Sequence, residues 1–189
     1  MSQSLPPRKS VIVGIMRIAR GRADGLDFFN SSVQSYLSSL APLVAFPLVG
    51  AVMAIYSDGP RHALTDLAMM LCALLTPAVV SYELARLWKR DDAWLRFATV
   101  FNWCEWILPI LACLLLVPLS LLIALGLNES AAGNVWVGCL GLYGLWLHWF
   151  LARNALALSR YRAAMLVLIV NFATVLTVMG PRFLADRLG

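Results

Sequence analysis

Charge is what this chain has least of. Asp, Glu, Lys and Arg make up 13% of its 189 residues, against about 25% in a water-soluble domain. A soluble chain of this length buries one good core and must then coat that core with polar side chains. Too few are present, so the deficit points to a surface that faces lipid. Catalytic signatures are missing as well. There is no HExxH, CxxC, EF-hand, GxSxG, P-loop or GxGxxG pattern, and the serines have no base at a definable spacing. The four cysteines, Cys72, Cys104, Cys113 and Cys139, lie inside apolar runs and never at metal-ligand spacing. They read as small hydrophobes. No metal or cofactor is expected, and an enzyme is the weakest class. A net charge of +5 suggests nucleic acid only where a basic folded face carries interleaved aromatics. No such domain exists here, so no nucleic-acid partner is expected.

Apolar residues are abundant: 61% of the chain, with a mean hydropathy of +0.78. A membrane helix needs about 20 mostly apolar residues to cross ~30 Å of hydrocarbon. Five runs meet this, at residues 37–56, 62–85, 97–127, 131–152 and 163–179, the third interrupted by Glu105. The connections SDGPRH, NESAAGN and RNALALSRYR are short, and LWKRDDAWLR is little longer. Short connections make successive helices antiparallel neighbours. The expected fold is an all-α polytopic transmembrane bundle with three parts: an interfacial or cytoplasmic segment over residues 1–36, five spans over 37–180, and a short non-cytoplasmic tail over 181–189.

Orientation follows from the basic residues near the span ends. Alternate segments hold twelve Lys and Arg on one side and three on the other. This places the N-terminus in the cytoplasm and the C-terminus outside. The N-terminal apolar run VIVGIM is too short for a signal peptide and is followed by Arg17 and Arg20, so no cleavage is expected. Val11, Ile12, Ile15, Ile18 and Ala19 share a helical face, with Lys9, Arg17, Arg20 and Arg22 around it. One reading is an amphipathic helix in the headgroup plane, where these four basic residues contact anionic lipid. A flexible basic tail is the other.

Polar residues inside the spans are the functional candidates, since ionisable groups in membrane helices usually face the bundle interior. Glu83 falls near the cytoplasmic end of span two. Asn102 and Glu105 occupy the cytoplasmic half of span three. His148 lies about a turn from the end of span four, with Arg153 below it, and Asn171 is mid-way along span five. Helical stripes bring them inward: Thr65, Cys72, Thr76 and Glu83; Asn102, Glu105 and Pro109; Gly141, Gly144, His148 and Ala152; Ala164, Asn171 and Thr174. The glycines would let a neighbouring backbone approach. Glu83, Asn102, Glu105, His148, Arg153 and Asn171 thus form one candidate intramembrane cluster. It is either a proton relay or cation site made by Glu105, Glu83 and His148, or a structural set in which Glu105 pairs with Arg153 or bonds to Asn102, His148 caps or bridges helices, and Glu83 lies at the interface. Pro42, Pro47, Pro77, Pro109 and Pro118 kink the spans, as bundle shaping or as hinges.

The basic N-terminal segment, the five close spans, FNWCEWILPIL in span three and HWFLARNALALSRYRAA across the loop from span four to span five together resemble the bacterial branch of the Yip-type membrane family. The resemblance covers nearly the whole chain and is mainly architectural. It implies a non-enzymatic integral membrane scaffold or adaptor that organises membrane or partner proteins, with the bilayer and other membrane proteins, or itself, as partners. The DLYGP-type motif of eukaryotic members is missing, so GTPase partners are not implied. The other class is a small transporter, or a subunit of a transport complex, with a polar cytoplasmic-side pocket. Either is a multi-pass protein, of the plasma or inner membrane in a bacterium.

Overall fold

The computed structural model describes residues 10–188, and among them every regular element is a helix. In chain order these are α1 (Val11–Ala19), a 3-10 helix (Ala23–Phe28), α2 (Val33–Asp58), α3 (Pro60–Leu87), α4 (Asp91–Cys104), α5 (Ile107–Ala124), α6 (Glu129–Ala155) and α7 (Arg160–Leu188). Five stretches are long and apolar enough to cross a membrane: Val33–Tyr56, His62–Leu87, Asp91–Ala124, Glu129–Ala155 and Arg160–Gly180. The expected number of spans is met, with shifted ends. α2 starts earlier than the apolar pattern suggests because Ser32 caps it, its hydroxyl accepting from the Ser35 amide at 3.2 Å. α7 remains helical through residues 181–188, which the sequence reads as a tail.

Turn chemistry explains how so little loop joins these helices. Gly59, at φ 83° and ψ 160°, is the single residue between α2 and α3, in a region of backbone space essentially reserved for glycine. α1, α3 and α5 each end in a Schellman turn, in which amides beyond the helix return to its last carbonyls. The amides of Gly21 and Arg22 reach Ile18 and Arg17, those of Lys89 and Arg90 reach Arg86 and Ala85, and those of Gly126 and Leu127 reach Ile123 and Leu122. Lys89 holds φ 56° without being glycine.

The packed core occupies one end of the bundle. Ile18, Phe97, Val100, Leu147, Leu151 and Leu156 are its centre, contributed by α1, α4, α6 and the turn after α6. α5, by contrast, buries no residue at all. Most of α2 and the outer part of α3 are likewise apolar and uncovered. Apolar side chains exposed over that much contiguous surface need lipid or a partner around them.

The N-terminal segment belongs to the packed end. α1 folds back on the 3-10 helix and sits against α4. Ile18 is fully buried, and Val11 and Ile15 pack onto the core. Of the face expected to meet lipid, Val11, Ile15 and Ile18 are turned to protein, while Ile12 points outward together with Val13 and Met16. The Tyr143 hydroxyl donates to the Ala19 carbonyl at 2.9 Å. Arg96 clamps the 3-10 helix, donating to the Leu26 carbonyl and to Asp27. Arg17 and Arg22 both pair with Asp24, at 2.9 and 2.8 Å. The hydrogen bond from Arg22 is the largest influence on Asp24, and its carboxyl is held below the usual carboxylate range. This link is therefore complete at neutral pH and is lost as pH falls through that lowered value.

Two glycines make the hairpin possible. A Cβ on Gly14 would lie 2.8 Å from Phe28 Cβ and from a ring carbon of Phe29, and one on Gly25 would lie 2.7 Å from the Gly14 carbonyl oxygen. Gly14→Ala should therefore destabilise the protein by about 1–3 kcal/mol, as overpacking does, and should open the segment to proteolysis. Gly138→Ala, where a Cβ meets nothing within 4 Å, should be neutral or stabilising by up to ~1 kcal/mol through helix propensity. Thermal unfolding and limited proteolysis of the two variants in detergent check both outcomes.

Candidate functional site: a polar cavity at a broken helix

The third apolar stretch is two helices, and Pro109 accounts for the break. Proline has no amide proton, and its ring crowds the carbonyl four residues earlier, here that of Glu105. That carbonyl accepts instead from Leu108, in a long 3.4 Å bond. Pro109 then falls in the first turn of α5, where an amide proton has no helical partner in any case. α4 enters the core and α5 leaves it, with Glu105 and Trp106 at the joint. Trp106 packs against Phe46 of α2 with ring centroids 5.0 Å apart, and its indole nitrogen is buried without a hydrogen-bond partner.

At this joint Glu105 Oε1 lies 2.9 Å from His148 Nε2. With the proton of a neutral imidazole on Nε2, the ring donates to the carboxylate and the pair keeps one negative charge. A protonated imidazole makes the pair neutral. Phe101, one turn before Glu105, packs against the imidazole with ring centroids 4.7 Å apart and planes tilted by 39°. Asn102 is buried, and its amide donates to the Ser39 hydroxyl of α2 at 3.0 Å. Ser39 in turn donates to the Tyr36 carbonyl at 2.6 Å. The Asn171 amide and Thr174 hydroxyl donate to carbonyls one turn back in α7, which leaves the Asn171 amide oxygen as an acceptor.

These groups share a cavity of about 290 Å³. Asn102, Glu105, His148, Asn171 and Thr174 supply its polar lining, and Leu43, Leu74, Phe101 and Val170 are among the apolar residues that complete it. A much narrower cleft of about 20 Å³ continues past Phe101 and Asn102 toward Ser81 and Phe97. Pro47, Pro77 and Pro109 each lack the amide proton that a helix would give to the carbonyl of Leu43, Ala73 and Glu105, respectively. All three of those residues line the cavity. Two of these prolines lie inside their helices, α2 and α3, where the missing donor is not made up by an end.

Four of the six residues in the sequence-derived cluster, Asn102, Glu105, His148 and Asn171, therefore line one cavity. Glu83 does not join them. It is half-exposed and pairs with Arg86 at 2.8 Å on the surface of α3. Its stripe is spaced correctly, but a seven-residue step drifts by about 20° on a straight helix. Arg153 is not the cation for Glu105 either. Its guanidinium lies 5.4 Å from the Trp149 ring, and His148 occupies the carboxylate. Gly141 faces open space, whereas Gly144 is buried with Leu108 3.5 Å from its Cβ position. Of the residues assigned to lipid contact, Arg17 and Arg22 are engaged by Asp24, Arg20 is exposed, and Lys9 lies outside the described residues. No group of three or more His, Cys, Asp or Glu side chains able to hold a metal occurs among the described residues.

Sequence reasoning missed Ser39, Phe101 and the carbonyl-bearing residues Leu43 and Ala73. The prolines were the available signal, since each one marks the residue four places earlier. Comparison with protein-family models, curated proteins and solved structures finds nothing that matches this chain.

The Asn102–Ser39 bond ties α4 to α2 and can be weighed directly. A double-mutant cycle with Asn102→Ala and Ser39→Ala should give a coupling of about 0.5–1.5 kcal/mol in unfolding free energy, at or above the ~0.6 kcal/mol average for interhelical bonds in membranes. Additive single effects would show that the bond contributes nothing to holding the wall of the cavity.

Proposed function

We propose that this chain is a non-enzymatic multi-pass membrane protein that admits a small polar solute or ion to a hydrated cavity, as a small transporter or as the membrane subunit of a transport complex. One observation carries the reading: a cavity of about 290 Å³ in which a Glu–His pair and two asparagines from α4, α6 and α7 converge beside a broken helix. Ionisable groups that face the interior of a membrane bundle ordinarily mark substrate or ion paths. Discontinuous helices are a common way to line such paths.

The break also sets the depth. The 34 residues of α4, the joint and α5 would extend about 51 Å as a straight helix, far beyond ~30 Å of hydrocarbon. α5 alone, with 18 residues, is about 27 Å long. α5 then crosses the hydrocarbon, α4 lies in the packed end, and Glu105 sits at the boundary between them. The basic residues Arg86, Lys89, Arg90, Arg96, Arg153, Arg160 and Arg162 belong to that same end, which makes it the cytoplasmic side under the positive-inside rule. In this arrangement the cavity is reached from the cytoplasm.

The scaffold reading, which the Yip-type resemblance favours, has its own support. α1 is pinned to the packed end, yet it leaves Ile12, Val13 and Met16 outward, with Ile12 71% exposed, and Arg20 is exposed beside them. Such a face suits the headgroup layer of an anionic bilayer.

Cysteine accessibility separates the two. In a background without the native cysteines, Thr174→Cys should react with a small charged thiol reagent in proteoliposomes, because that position lines the cavity. Val175→Cys, on the exposed apolar face of α7, should not react. Silence at both positions would mean a dry, closed interior and leave the scaffold reading standing. Topology is tested in the same background. Gly189→Cys should react with an impermeant reagent on intact cells and Ser2→Cys should not, and the reverse pattern would overturn the assignment.

A further inference from the structure

The lining of the cavity narrows the class of solute, and this inference rests on the cavity reading above. Among the described residues that line it, Glu105 is the one acidic side chain and His148 the one other ionisable group, so they offer at most one negative charge. An inorganic cation would need oxygen ligands on most sides, and Leu43, Leu74, Phe101 and Val170 supply apolar side chains there instead. A bare ion would also be lost in about 290 Å³, a volume just below the usual range of small-molecule pockets, about 300–1,000 Å³. An aromatic ring and a carboxylate in one lining, with asparagine, threonine and aliphatic side chains around them, match an alkylammonium group. The carboxylate meets the charge, the Phe101 ring attracts the cation through its quadrupole, and the aliphatic residues take the carbon.

We propose that the cavity between α2, α3, α4, α6 and α7 is a binding site for a small organic cation, an ammonium of a few heavy atoms. Glu105 is its counter-charge, held by His148, and Phe101 is its aromatic contact. The Asn171 amide oxygen, whose NH2 is taken by the Val167 carbonyl, accepts from an N–H group where the ammonium has one. The same chemistry occurs in a free amine and in a phospholipid headgroup.

Choline and ethylammonium serve as probes, with 3,3-dimethylbutan-1-ol as the uncharged isostere of choline and sodium chloride as the ionic control. The protein is held in phosphatidylglycerol nanodiscs, and thermal unfolding and calorimetric titration are read. At least one ammonium should bind and raise the unfolding midpoint, while the isostere and sodium should not. Glu105→Gln, which keeps an acceptor for His148 but removes the charge, should weaken that binding at least tenfold. Phe101→Leu should weaken it several-fold. Ala73→Phe, which fills the cavity without touching the pair, should abolish it and keeps the test valid if Glu105→Gln fails to fold. Discs containing phosphatidylethanolamine separate the sources. A headgroup occupant raises the midpoint in those discs and blunts the response to added amine, whereas a free solute acts equally in both. Equal binding of the isostere, unchanged binding in Glu105→Gln or Ala73→Phe, or no response to any ammonium overturns the proposal. If Thr174→Cys still reacts in that event, a hydrated cavity remains and only the ammonium assignment falls.

Discussion

A proline cannot donate a hydrogen bond, and at position 109 that single deficit shapes the molecule. In a membrane bundle each backbone polar group must find its partner inside the protein; here the helix ends and restarts so that Pro109 falls in a first turn, whereas Pro42, Pro47, Pro77 and Pro118 lie inside helices that continue. Because α4 stops at Cys104 and α5 begins at Ile107, one apolar stretch supplies two different surfaces. α4 buries Phe97, Val100 and Cys104, while α5 buries nothing. A single straight helix would have placed Glu105 on a continuous rod. The joint instead sets it beside His148 of α6.

Packing at one end depends on that arrangement. α4 provides the seat for the N-terminal hairpin, and Arg96 reaches from it to Asp27 and the Leu26 carbonyl. The hairpin closes over the core through the contact of two glycines and through the Tyr143 bond to the end of α1. On another side, Trp94 of α4 packs on Tyr36 and Tyr82 with centroids 5.4 and 5.1 Å apart and donates to Ser81. α4 is thus held from α1, α2, α3 and α6, and the polar residues at its end are held with it. A cavity bordered by such a fixed element keeps its shape, and a preformed shape lowers the cost of binding.

Prolines and polar side chains work together here. Pro47 and Pro77 are in different helices, yet both leave a carbonyl without its helical donor at a residue that lines the same cavity as Glu105. Kinks that only shaped a bundle need not converge in this way. Pro42 and Pro118 illustrate the alternative: the residues four places before them, Ser38 and Leu114, do not line this cavity.

Much of this was legible in the chain. Low charge and long apolar runs determine an all-helical protein with five stretches able to cross a membrane, because lipid tolerates few other ways to satisfy a backbone. Helical periodicity places Asn102 and Glu105 on one stripe, and His148 and Asn171 on inward ones. Partner choice was not legible, since it depends on helix rotation and tilt, which side-chain packing decides. Glu83 and Arg153 carry the right charges at plausible depths, yet they pair with Arg86 and stack on Trp149, on sides turned away from the cavity. The N-terminal run has one broad apolar face that holds both Ile12 and Ile18, and only packing against the rest of the protein decides that Ile18 goes in while Ile12 stays out. Periodicity in a sequence determines what can lie together along one helix. What meets across helices is settled by the three-dimensional fit of several surfaces at once, which no single segment encodes.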